Sequence, residues 1–177
     1  YYNQFGYNLF DATTKVIYNS YIPKYDNCEH NINYSSNDIG YIGRHVPRKR
    51  PEIPIKAVEY LKQEAIKVYN MGVDYDKYDN AYWRKLAKQY VDQLVVIPFS
   101  TDKKVKEEYW SNIGINCITG IYEPFGYTIC ESIDRGVPVI VQNIDGPKEI
   151  VDEIKEFVYM YNVDTDDYKQ DILNFSK

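Results

Sequence analysis

The stretch Ile115-Asn-Cys-Ile118-Thr119-Gly-Ile-Tyr-Glu123-Pro-Phe-Gly126-Tyr-Thr-Ile-Cys-Glu131 decides the fold of this chain. Ile115 to Ile118 reads as a strand. Pro124 and Gly126 punctuate the loop behind it, and Gly126 to Asp134 reads as a short helix stopped by Gly136. Val137-Pro-Val-Ile-Val141 is the next strand. Strand, loop, helix and strand in such quick succession make a βαβ unit, which pairs its two strands in parallel.

The same alternation runs outward in both directions. Ile39-Gly-Tyr-Ile42, residues 66–71 (closed by Gly72), Leu94-Val-Val-Ile97 and Phe157 to Tyr161 read as strands. Leu94 to Ile97 is apolar on both faces, as a buried parallel strand is. Between them, Pro51 opens a helix in which Ile53, Ala57, Val58 and Leu61 recur at helical spacing. Further helices are expected over Asn80 to Tyr90, Lys103 to Trp110, Pro147 to Ile154 and residues 165–175. The fold class that follows is α/β: a Rossmann-like three-layer α/β/α arrangement around a parallel sheet. The first 38 residues are less regular, with a strand-like Lys15 to Tyr18 and a polar segment from Pro23 to Asn37. They read in part as a linker into the domain.

A chain of 177 residues with 44% hydrophobic content supports one domain with a real core. No apolar run approaches the ~20 residues that span a bilayer. The chain opens Tyr1-Tyr2-Asn3 without a basic, then apolar, leader, so the start reads as a domain cut rather than a signal peptide. A net charge of -5 argues against a nucleic-acid partner. Cys28, Cys117 and Cys130 form no CxxC and no Cys/His cluster. That disfavours both a disulfide framework and a structural zinc, and points to a reducing, cytoplasmic compartment. The 20 tyrosines are scattered. With 16 lysines against 5 arginines, they reflect AT-rich codons more than an aromatic binding surface.

Open parallel sheets take ligands at the carboxyl ends of their strands. Here those ends are the loops after Ile42, Ile97 and Ile118. The first, Gly43-Arg44-His45-Val46-Pro47-Arg48-Lys49-Arg50, carries four cations behind a glycine that turns the backbone. Arg44 and Lys49 would converge on one anion, for which a diphosphate is the natural candidate. His45 is expected to be a surface or packing residue. In the loop after Ile118, Gly126 permits close backbone approach, and the first-turn amides of Gly126, Tyr127 and Thr128 have no helical carbonyl partner. Glu123 and Glu131, eight positions apart, would flank that anion and accept hydrogen bonds from hydroxyl groups on either side of it. The ligand implied is polyhydroxylated with an anionic middle: a sugar, a diphosphate and a ribose.

The run Glu123-Pro-Phe-Gly-Tyr-Thr-Ile-Cys-Glu131-Ser-Ile-Asp-Arg-Gly136-Val-Pro-Val-Ile-Val, then Asp145-Gly-Pro-Lys-Glu149-Ile-Val151, resembles the donor-binding half of retaining GT-B glycosyltransferases, in particular glycosyltransferase family 4, the glycosyl transferases group 1. Gly43-Arg44 and Lys49 stand upstream in the expected order, and the resemblance covers about residues 15–175. It implies that residues 1–177 are one carboxyl-terminal, nucleotide-sugar-binding domain whose amino-terminal acceptor domain is not in this chain. It implies that Arg44 and Lys49 hold the donor diphosphate, that Glu123 contacts donor-sugar hydroxyls and that Glu131 contacts the ribose. The backbone from Phe125 through Gly126 and Tyr127 to Thr128 would meet phosphate and sugar, and the loop at Pro98, Phe99 and Ser100 would seat the nucleobase. The chain departs from the family pattern at Asn19-Ser20, Pro98, Thr119-Gly120, Ser132 and Asp134.

The activity implied is transfer of a hexosyl unit from a UDP- or GDP-linked sugar to a glycan, lipid or other acceptor, with retention. No cofactor and no metal are implied. Asp74-Tyr-Asp76 and Asp164-Thr-Asp166 look like the metal-binding DxD of a different glycosyltransferase fold, but their loop and helix-start positions argue against that use. Peripheral membrane association of the full-length form is compatible with the resemblance. The rival readings are a nucleotide-sugar-binding module without transferase activity and a sugar-nucleotide epimerase on the same fold. A nicotinamide dehydrogenase is disfavoured because no G-x-G-x-x-G follows a candidate strand.

Overall fold

The computed structural model describes residues 19–23, 36–61, 65–75, 77–91, 93–151, 158–163 and 167–176. Six strands form one all-parallel sheet: β1 (Ile39–Ile42), β2 (Lys67–Gly72), β3 (Gln93–Pro98), β4 (Ile115–Ile118), β5 (Val139–Gln142) and β6 (Val158–Tyr161). Their spatial order is β3-β2-β1-β4-β5-β6. The chain builds outward from β1 to β3, returns to place β4 against β1, and builds outward again to β6. The β1/β4 seam is therefore the topological switch point.

Among the described residues six α-helices link or follow these strands: α1 (Ile53–Ala57), α2 (Asn80–Tyr90), α3 (Lys103–Asn112), α4 (Tyr127–Ile133), α5 (Asp145–Val151) and α6 (Tyr168–Phe175). Strand alternation divides the core between the two faces of the sheet. Ile39, Val68 and Cys117 face one way and pack with Ile53, Ile55, Trp83, Leu86, Ile172 and Phe175 from α1, α2 and α6. Ile42 and Met71 face the other way, onto Tyr109, Trp110 and Ile113 around α3. Ile118, Val139 and Val141 cover Ile129 of α4 and Val151 of α5. Both faces of the central strands are thus covered, the three-layer arrangement expected, but Leu94–Ile97, expected as a buried strand, lies in the edge strand β3, where Val95 is exposed.

Several boundaries differ from the sequence expectation for local reasons. Pro51 stands in a turn, and α1 begins two residues later with Pro54 in its first turn. A 3-10 turn at Val58–Tyr60 then ends the segment, so the longer helix expected there is cut short. α5 starts at Asp145, before Pro147, because a first-turn proline needs no helical N–H of its own. β5 starts after Pro138, which cannot donate to a ladder. The strand expected at 15–18 and the second DxD at 164–166 lie outside the described residues.

Helix starts follow side-chain capping where the sequence provides it. Asp79 accepts from the Tyr82 amide at α2, Asp102 from Lys104 at α3, and Asp167 from Lys169 and Gln170 at α6. α4 has no side-chain cap. Its N-cap is Gly126 at φ 95°, a left-handed conformation that glycine adopts without steric cost.

Candidate functional site

A cavity of about 220 Å³ opens at the β1/β4 switch point. The end of β1 contributes Tyr41, Ile42, Gly43 and Arg44; the end of β4 contributes Cys117, Ile118, Thr119 and Gly120. Lys49, Glu123, Tyr127 and Thr128 complete it. The structure thus brings together Gly43, Arg44, Lys49, Glu123, Tyr127 and Thr128, six of the residues singled out from the sequence.

The cation-bearing loop is held from several sides. Its middle, Pro47–Lys49, is a 3-10 turn that Arg50 ends at φ 46°, ψ 53°, an uncommon left-handed conformation for a side chain of this size. The Tyr41 hydroxyl donates to the Arg44 carbonyl at 3.2 Å. The Thr119 hydroxyl faces the carbonyls of Lys49 at 3.0 Å and Arg50 at 2.8 Å, and the Ile121 amide donates to the Arg48 carbonyl at 2.9 Å. Two neighbouring cations then leave in different directions. Lys49 donates to Glu123 across the cavity, while Arg50 forms a buried ion pair with Asp171 of α6. Arg44 is exposed. Burial pushes the Tyr41 phenol far above its ordinary range, and the charges of Glu52 and Glu123 add to that shift.

Beneath this loop His45 is fully buried, a packing residue rather than a surface one. Its Nδ1 meets Asp74 Oδ1 at 2.5 Å and its Nε2 meets Asn70 Oδ1 at 2.7 Å, so neither ring nitrogen is left over for chemistry. Asp74 also accepts from Trp83 Nε1 at 3.0 Å. The first acid of the sequence DxD is therefore engaged by the fold. Gly72 makes the arrangement possible, because a Cβ there would collide with the Gly43 carbonyl and with the His45 ring.

Glu131 lies elsewhere. It lines a groove of about 260 Å³ with Thr101, Lys103, Lys106, Glu107, Trp110 and Arg135, between α3 and α4. Arg135 braces that groove: its guanidinium donates to the Glu131 carbonyl at 2.9 Å and to Glu107 at 3.0 Å, and stacks 5.1 Å from the centre of Trp110. Pro98 and Phe99 line neither space. Pro98 is exposed at the end of β3 opposite Gly72. Phe99 is half exposed, its amide on the Gly72 carbonyl at 2.9 Å and the Lys106 ammonium 5.3 Å over its ring. Phe125 packs edge-on to Tyr127, with ring centres 4.8 Å apart.

Three departures from the family pattern turn out to have bonding roles. Thr119 ties the cation loop to β4, as described. Ser132 donates to the Val137 carbonyl at 2.9 Å and closes the α4–β5 turn. Asp134 accepts from the Tyr21 hydroxyl at 2.7 Å and anchors residues 19–23 to the end of α4. Sequence reasoning missed Asp171 and the bonding roles of Thr119 and Arg50, because each acts through a partner remote in the chain. Among the described residues no group of three or more His, Cys, Asp or Glu is placed to hold a metal ion, and no helix is long and apolar enough to cross a membrane.

The sequence model of the family described as glycosyl transferases group 1 matches residues 26–177. No curated protein matches. Among solved structures, a mutant form of S. aureus TarM in complex with fondaparinux, alpha-GlcNAc-glycerol and UDP superposes with a TM-score of 0.68 at 18% identity, over 94% of this chain and 33% of that one. Anabaena HepE in complex with UDP and glucose gives 0.58 at 20% identity, over 72% and 34%. The carboxyl-terminal domain of a glycosyl transferase group 1 family protein from Francisella tularensis gives 0.56 at 25% identity, over 71% and 67%. The chain spans about a third of the length of TarM and HepE.

Proposed function

The chain belongs to the group 1 glycosyltransferases, and on that premise we propose that it is the donor-binding, carboxyl-terminal half of a two-domain enzyme. That enzyme transfers a hexosyl unit from a nucleotide-diphosphate sugar to an acceptor with retention of configuration. The observation that carries the reading is the cavity at the β1/β4 switch point, where Arg44, Lys49 and Glu123 meet. A parallel sheet offers its ligand site at that seam, and the residue types there match an anion with hydroxyl groups beside it.

In this reading Arg44 and Lys49 hold the diphosphate and offset the charge that builds on it as the sugar departs. α4 has only seven residues, so its dipole adds little and the two cations carry the anion. Glu123 accepts hydroxyls of the donor sugar. Glu131 accepts the ribose hydroxyls, which sends the base toward the groove between α3 and α4 and the nearby loop from Pro98 to Thr101. The chemistry is assigned to these side chains, without a cofactor. UDP is the first nucleotide to try, since TarM and HepE are both described with UDP.

Exposed Val73, Tyr75, Phe99, Tyr122 and Tyr127 follow the carboxyl ends of β2, β3 and β4. Such a rim suits an opposing domain that supplies the acceptor site, with residues 1–38 serving in part as the linker and the whole enzyme working in the cytoplasm. The test is a thermal-shift screen of this chain against UDP- and GDP-sugars. Stabilisation by a nucleotide sugar, lost in Lys49→Ala, is expected; no shift with any of them would refute the donor-site assignment. The isolated chain is expected to bind donor without transferring sugar.

A further inference from the structure

The donor-site reading gives Lys49 and Glu123 different ligands, one the diphosphate and the other the sugar. In the structure each is the other's partner. Their side chains are 16% and 18% exposed, so water replaces a lost partner only in part. Glu123 is also the one carboxylate among the described residues lining the cavity. Its charge reaches across the floor, where it adds to the upward shift of the buried Tyr41 phenol.

We propose that Glu123 is the built-in counter-ion of the diphosphate cation, and that through this pairing it discriminates between a sugar-bearing donor and the spent nucleotide diphosphate. The inference rests on the donor-site reading. An entering diphosphate claims Lys49, and two anions on one ammonium repel each other, so Glu123 must let go. With a complete donor the released carboxylate accepts hydrogen bonds from the sugar hydroxyls beside it. With the nucleotide diphosphate alone there are no such hydroxyls. Glu123 is then left unpaired, in a half-closed cavity, next to added negative charge. That cost falls on the product complex only. Arg44 pulls the other way, because the spent nucleotide carries more negative charge than the intact donor, and Glu123 offsets that preference. Glu123 thereby favours capture of intact donor and release of the spent nucleotide.

The test is isothermal calorimetry of this chain and of Glu123→Gln, which keeps the shape and removes the charge. The probes are UDP, GDP, their glucose and mannose conjugates, and inorganic pyrophosphate, which has neither sugar nor base. In Glu123→Gln, the nucleotide diphosphate that binds and pyrophosphate should bind about two- to fivefold tighter, the scale of one partly exposed ion pair. The matching sugar conjugate should gain nothing, so the donor-to-product affinity ratio falls by that factor. On top of Lys49→Met the gain should shrink, leaving only the part that comes from repulsion between the carboxylate and the bound anion. If Glu123→Gln fails to fold, Glu123→Asp, whose carboxylate is one methylene further from Lys49, must move the ratio the same way by a smaller factor. Native binding with an unchanged or increased ratio in the variant would overturn the counter-ion role and leave the donor site standing. No binding of any nucleotide by the native chain would overturn both.

Discussion

Lys49 and Arg50 are adjacent in the chain and opposite in what they do. Arg50 turns into a left-handed backbone conformation, and that turn separates the two side chains. Lys49 reaches into the cavity, where its partner Glu123 retains 18% exposure. Arg50 reaches Asp171 on the terminal helix, whose side chain retains none. An ion pair that must exchange partners is useful only if the exchange is cheap, which requires some access to water and to ligand. An ion pair that holds a loop in place is strongest against rupture where neither charge can return to water. One short loop therefore contains an exchangeable contact and a fixed one, and the fixed one supports the other.

Breaking the fixed pair should have the largest effect. Asp171→Ala leaves Arg50 buried without that partner and is expected to cost about 3–5 kcal/mol, read from the urea midpoint at constant m. Lys49→Ala should cost less than about 1 kcal/mol by the same measurement. If the two losses were equal, the contrast between the pairs would be wrong. In binding the order reverses. Lys49→Ala should lower affinity for a nucleotide sugar by about tenfold or more, the scale of a lost charge-assisted hydrogen bond. Arg44→Ala, at an exposed position, should lower it less, and calorimetry of the two variants side by side would show whether Lys49 dominates.

Thr119→Val tests the link between the two regions. Losing the hydroxyl should cost about 1 kcal/mol of stability and a few-fold in donor affinity. A stability loss with donor affinity unchanged would make Thr119 a purely structural tie. The smallest effect concerns the cavity floor. Burial pushes the Cys117 thiol well above its ordinary range, so the reactive thiolate is suppressed at neutral and mildly alkaline pH while the chain is folded. Peptide mapping after iodoacetamide treatment should find Cys117 modified only once the chain is unfolded. Rapid labelling of the native chain would show that the Cys117 thiol is open to the cavity it lines.

The alternation of strands and helices was legible because it rests on local patterns. Leu94 to Ile97 reads as a strand from its unbroken apolar run, although that run also suggested burial and the structure sets it at a sheet edge. The ends of elements were less so. Pro51 and Pro147 both suggest helix starts, but α1 starts after its proline and α5 before. Proline restricts only its own φ and donor, and neighbouring packing chooses among the starts that remain. Glu123 and Glu131 were visible as a spaced pair, but nothing in the spacing says that one lines the cavity at the seam and the other the groove between α3 and α4. The three departures at Thr119, Ser132 and Asp134 read as mere deviations until their partners were in view.

By itself the sequence determined the α/β class, the parallel order of the central unit, the family and the loops that carry charge. Each of these depends on residue type and short-range spacing, which the chain states directly. Only the tertiary structure decided that Lys49 meets Glu123, that Arg50 meets Asp171 and that Asp74 belongs to His45. Those partners lie 74, 121 and 29 residues apart. Charge sign allows many pairings among the 21 basic and 26 acidic residues of this chain. The strand order and the turn at Arg50 leave these ones within reach, and desolvation makes the choice between them costly to reverse.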